Sequence, residues 1–138
     1  MDKALNYLAL GRKARLLEVG EEPVGAAARA QHARLIVVAA DASDHSWRRA
    51  KSFVAGTGQQ LLRVHFTKDE LGFAVGRQEL AMAAFTDAAL AVSFVKALPQ
   101  PEKYKAILED LETRVQRQRQ RQKEAKAHER NVRTGKKK

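Results

Sequence analysis

No cysteine occurs in the 138 residues, which excludes disulfides and cysteine-ligated zinc. No apolar run approaches the ~20 residues that a membrane-spanning helix needs. The first residues, M-D-K-A-L-N-Y, lack a basic segment followed by an apolar one, so no signal peptide is expected. A cytoplasmic protein without membrane attachment is the resulting expectation. Catalytic patterns are absent too. Gly56-Thr57-Gly58 lacks the further glycine and the Lys-Ser/Thr pair of a triphosphate loop. His32, His45, His65 and His128 are scattered without metal-ligand spacing, and no nucleophile elbow is present. Asp41 and Asp44 follow a predicted strand, where α/β enzymes keep carboxylates, but capping of the next helix is the simpler role. The sequence therefore predicts no enzyme, no cofactor, no metal and no small-molecule substrate.

What is present is charge, and it is segregated. The chain carries a net +10 and 44% apolar residues. From Gln116 to Lys138 there are ten Lys/Arg against Glu124 and Glu129, a net of +8, which leaves +2 for the first 115 residues. Such a tail suits phosphate neutralisation on nucleic acid, with a steep salt dependence, or simply a solubilising end. Arg117, Arg119, Arg121 and Lys123 are the candidate non-specific phosphate contacts. The rest of the chain is long enough for one domain of roughly 100 residues.

Leu5, Leu8 and Ala9 have helical spacing, so residues 3–13 read as a helix. Residues 15–20 form a short strand ending at Gly20. An alanine-rich helix follows, with Glu21, Glu22 and Pro23 in its first turn, where acids and proline are favoured. Arg34–Ala40, R-L-I-V-V-A-A, reads as a strand buried on both faces. Ser43 caps a helix with Trp47, Ala50 and Val54 on one side. Leu61–Phe66 is another strand. Thr67 and Glu70 match a capping box. Leu80–Phe85 is a further strand, and Thr86-Asp87 starts a helix to Leu98, before Pro99 and Pro101. This alternation predicts an α/β fold, a three-layer α/β/α sandwich around a mostly parallel sheet. Residues 1–98 form the domain. Residues 99–115 form an amphipathic extension with Tyr104, Ile107, Leu108, Leu111 and Val115 at helical spacing, a stripe expected to pack on the domain. Residues 116–138 form a basic tail, helical or disordered, with disorder favoured.

Two segments belong at one end of such a sandwich. One is the turn at Gly20, Glu21 and Glu22, where a helix N-terminus offers free N–H groups. The other is T-K-D-E-L-G-F-A-V-G-R at 67–77. Within it Leu71, Gly72, Phe73, Ala74, Val75 and Gly76 read as an apolar loop on which an unstacked base can rest, closed by Arg77. Arg12, Lys13 and Arg15 precede the first segment. Arg12, Lys13, Gly20, Glu21, Glu22 and Leu71–Arg77 are thus the candidate RNA contacts.

Over residues 3–98 the chain resembles the kink-turn-binding ribosomal protein family. That family includes the "L-seven-Ae" and "L-thirty-e" large-subunit proteins and small bacterial relatives. L-G-F-A-V-G at 71–76 fits its L-G-x-A-x-G segment, and V-G-E-E-P-V-G-A at 19–26 aligns without gaps through A-R-L-I-V-V-A-A-D at 33–41. The resemblance implies a four-stranded mixed sheet and RNA as partner. RNA-binding members carry G-x-N-E-x-x-K at the first segment. Here Gly20 matches, but Glu22 stands at the Asn position, Pro23 at the Glu position and Ala26 at the Lys position. Each lost bidentate contact removes about 1–3 kcal/mol of discrimination. The chain is most similar to the bacterial branch with G-E-E. The expectation is a non-enzymatic protein bound to ribosomal or other structured RNA. The alternative is an adaptor contacting the ribosome or transcription and translation factors.

Overall fold

The computed structural model describes residues 2–133, with side chains through 130. The elements follow in the order α1 (Lys3–Lys13), β1 (Leu17–Val19), α2 (Glu21–Arg29), β2 (Leu35–Val38), α3 (Asp44–Val54), β3 (Gln60–Arg63), α4 (Lys68–Val75), β4 (Met82–Phe85), α5 (Ala88–Lys96) and α6 (Lys105–Arg133). A short 3₁₀ turn over Pro101–Tyr104 leads into α6. The strands are shorter than the apolar runs suggest. Ala39 and Ala40 still donate to the carbonyls of Ala81 and Phe66, but they do so beyond the paired ladder.

The sheet order is β1-β4-β2-β3. Only the β2–β3 pair is parallel; β4 is antiparallel to both β1 and β2. The mostly parallel sheet predicted from alternation is therefore corrected to a mixed one, as the family resemblance implied. The reason lies in α4. Helices α2 and α3 are full crossovers that carry the chain back along the sheet. Helix α4 has eight residues, about 12 Å, and stays at the end where β3 finishes. The next strand must then return in the opposite sense, and it fills the gap between β1 and β2.

Side chains in β2 alternate between two cores. Leu35 and Val37 face α1 and α5, where Leu8, Phe85 and Phe94 pack. Ile36 and Val38 face α2 and α3, where Val24, Ala28 and Ala50 pack. Both faces are covered, so the run is apolar throughout instead of alternating. Among the described residues, Gln59 is the only buried polar side chain. Its amide donates to Ala28 O at 3.1 Å and accepts from Ala33 N at 3.0 Å, which ties the end of α2 to the start of β3.

The stripe from Tyr104 to Val115 packs on the domain. Leu111 is fully buried and Val115 nearly so, while Tyr104, Ile107 and Leu108 are partly covered. No break follows at residue 116. One 29-residue helix, about 43 Å long, continues through Arg133. The described part of the basic tail is helical. The packed first turns supply a nucleus, and Gln, Arg, Lys, Glu and Ala propagate it at little cost. The remaining tail residues, 134–138, lie outside the described residues.

Candidate nucleic-acid interface

Gly20 ends β1 and caps α2. Its N–H donates to Met82 O at 3.1 Å, and its φ of 95° lies where a side chain is strained. A Cβ there would meet the Arg77 guanidinium at 3.2 Å. The two segments predicted to share one end of the sandwich therefore do meet. Carboxylates surround them, interspersed with the cations Arg49, Lys68 and Arg77. Glu21 is paired with Arg49, Glu22 is exposed, and Asp2, Asp41, Asp44, Asp69 and Glu70 sit in or beside the first turns of neighbouring helices. This follows from helix direction. Helices α1, α2 and α3 all start at this end, and carboxylates stabilise the positive pole of a helix. Asp41 serves α4 by accepting from Lys68 N at 2.8 Å, while Ser43 caps α3; the expected cap by Asp41 on the next helix is corrected. Glu22, Pro23 and Ala26 are exposed on the outer side of α2.

The segment Leu71–Arg77 is not an apolar loop. Leu71 to Val75 are the last residues of α4, and the helix is opened by the predicted Thr67–Glu70 capping box. Each residue that defines the motif has a packing reason. Leu71 and Ala74 are buried in the core. A Cβ on Gly72 would lie 2.7 Å from the Glu79 Cα and 2.9 Å from the Arg77 carbonyl oxygen. Gly76 ends the helix at φ 78°. Only the variable positions have freedom. Val75 is half-buried, and Phe73 is 72% exposed. Phe73 does not sit with Gly20. It lies over a hollow shared with Asp2, Leu5, Asp69 and Glu70.

Arg12 and Lys13 are also separated from Gly20. Gly11 O accepts from Leu16 N, and Leu16 O accepts from Thr86 N, so the end of α1 meets the sheet where β4 finishes. Gly20 bonds to Met82 at the other end of that strand. Arg12, Lys13 and Arg15 are exposed at this second end. It also receives α6, which runs back along α5. Arg117 and Arg121 line a cleft of about 120 Å³ with Arg34, Arg114, Gln118 and Ala88. Arg119 lies on another side of α6, near Ala89, Val92 and Ser93 of α5, and Lys123 is exposed one turn beyond Gln120. Sequence reasoning missed Arg34 and Arg114. The available signals were a cation directly before the β2 run and an arginine inside the amphipathic stretch, and neither stands out without the fold. No metal-ligand cluster exists among the described residues, and none of their helices is long and apolar enough to cross a membrane.

No family model and no curated protein matches the chain. Solved structures do. A protein with unknown function from Bacillus halodurans C is 25% identical, with a TM-score of 0.64 over 70% of this chain and 97% of that one. A Giardia lamblia 15.5kD RNA binding protein is 18% identical, with a TM-score of 0.60 over 76% of this chain and 87% of that one. The fold is shared with both. The share of this chain left unmatched by the Bacillus protein is nearly a third, although almost all of that protein is matched.

Proposed function

We propose that this is a non-enzymatic RNA-binding protein acting on ribosomal or other structured RNA. The observation that carries the reading is the polarity of the domain. Arg12, Lys13 and Arg15 of α1 and its exit, Arg34 before β2, and Arg114, Arg117 and Arg121 of α6 gather at one end of the sheet. Phosphate contacts of this kind supply most sequence-independent affinity. The resemblance in architecture to an RNA binding protein from Giardia lamblia supports the same partner class. At the Gly20–Arg77 edge, Glu22, Pro23 and Ala26 stand where the resemblance has base-reading side chains, so kink-turn discrimination is weak in this reading. RNA contact shifts towards the basic end.

Crosslinking of the full chain to cellular RNA, followed by sequencing, tests this. Structured RNA is expected to be enriched, with crosslinked peptides from residues 12–15, 34 and 114–123. Recovery no better than bulk RNA refutes the idea of a structured target.

One observation favours a second reading, an adaptor of the translation or transcription machinery. Phe73 is a large exposed apolar side chain in an acidic setting, which repels phosphate and suits a basic apolar protein segment. Partners that survive ribonuclease treatment and are lost in Phe73→Asp would favour it.

A further inference from the structure

Four guanidinium groups converge on the start of α5. Arg34 enters from the body of the domain. Its backbone N–H is fixed to Phe85 O at 2.8 Å, and its side chain donates to Gln31 O at 3.1 Å. Arg114, Arg117, Gln118 and Arg121 come from α6 at spacings of three, four and seven residues, so they share one face of that helix. Burial of Leu111 and Val115 sets the rotation that aims this face at Arg34 and Ala88.

The arrangement runs against ordinary electrostatics. A helix N-terminus carries positive partial charge and attracts acids, as the first turns of α2, α3 and α4 show. At α5 the neighbours are cations. Two carboxylates are near, and both are engaged. Asp110 binds Arg114 Nε at 2.9 Å, and Asp87 accepts from Leu90 N at 2.9 Å as the helix cap. Arg114 also donates to Gly58 O at 3.0 Å. Among the described residues, no ion pair reaches Arg34, Arg117 or Arg121. Burial, and then the charges of Arg114 and Arg121, hold the Arg34 pKa below its usual value, with Asp87 opposing. A solvated basic face explains Arg119 or Lys123. It does not explain Arg34, which is anchored on a different element and faces the same cleft.

We propose that Arg34, Arg114, Arg117 and Arg121 form a phosphate site at the N-terminus of α5, whose occupant bridges α6 to the body of the domain. Planar guanidinium forks match phosphate oxygens in pairs, which a lysine ammonium does not. The phosphate group comes from an RNA backbone or from free phosphate. The RNA source rests on the function proposed above; the site does not.

The test uses the full chain. Inorganic phosphate is titrated against chloride at equal ionic strength, and the arginine Nε–H signals are followed by NMR. Binding of a structured ribosomal RNA fragment is measured in parallel on wild type, Arg34→Lys, Arg121→Lys and the charge-neutral control Arg29→Lys, with thermal melting to confirm folding. Saturable shifts are expected at the cleft arginines and not along the rest of α6. Arg34→Lys and Arg121→Lys are each expected to weaken RNA binding by about tenfold, the scale of one charge-assisted hydrogen bond, although net charge is kept. Arg29→Lys should match wild type. Uniform, unsaturated shifts along α6, together with wild-type RNA affinity in both cleft variants, would overturn the site. Saturable phosphate binding in a protein with no RNA affinity would keep the site, assign free phosphate as its occupant and overturn the RNA reading. Arg121 is exposed on α6, so its variant reports even if Arg34→Lys fails to fold.

Discussion

Replacing Gly72 with alanine separates a packing role from a binding role for the 71–76 segment. Gly72 is inside α4, where alanine is favoured over glycine by about 1 kcal/mol. The added methyl group would meet the Glu79 Cα at 2.7 Å, the Glu79 N at 2.8 Å and the Arg77 carbonyl oxygen at 2.9 Å. All three are backbone atoms, so no rotamer change relieves them. The Arg77 N–H also donates to Gly72 O at 2.8 Å, which holds the returning chain against the helix. Overpacking typically costs 1–3 kcal/mol, and contacts this short belong at or beyond the upper end. The clash therefore outweighs the propensity gain, for a net loss of about 2 kcal/mol. That corresponds to a fall in Tm of roughly 6–10 °C for a domain of this size. Thermal and urea unfolding of Gly72→Ala would measure it, with Phe73→Ala as the exposed neighbour expected within about 0.5 kcal/mol of wild type. Unchanged or raised stability in Gly72→Ala would refute the close-approach argument.

Three further outcomes follow from the same contacts. Gln59→Leu should destabilise by about 1–3 kcal/mol, because the buried Ala33 N–H loses its partner while the Ala28 carbonyl keeps its bond from Gln31 N; urea unfolding with a loss below about 0.5 kcal/mol would contradict this. Leu111→Ala should cost about 2–5 kcal/mol and expose Val115 and α5 to faster hydrogen exchange, since the side chain is fully buried between α6 and the domain. Exchange at α5 that does not change would argue against α6 as part of the folded unit. Deleting residues 116–138 should weaken RNA binding and flatten its dependence on salt, because a net +8 is removed. Equal affinity and an equal salt slope in the truncated protein would refute the tail's role.

Much of the fold was legible because local and tertiary preferences agree. The run at 35–38, the box at Thr67 and Glu70, and the stripe ending at Val115 each carry their own signal of period or capping. The candidate site was legible only in part. L-G-F-A-V-G reads as a loop because its residues are small and apolar, but buried helix ends have the same composition. Its glycines answer to the close approach of Glu79 and to a helix terminus. Gly20 and Arg77 were correctly paired because both follow or precede strands that end together. Arg12 and Lys13 were not, since nearness in sequence to Gly20 hides the length of β1 between them.

The sequence by itself determined the elements, the absence of cysteine chemistry and the concentration of charge near the C-terminus, because these depend on composition and on spacing along one helix or strand. Tertiary structure decided the direction of β4, the burial of Leu71, Gly72 and Ala74 and the meeting of Arg34 with the arginines of α6. Those depend on how far α4 carries the chain and how Leu111 rotates its helix. Such facts come from packing between distant segments, and no local pattern encodes them.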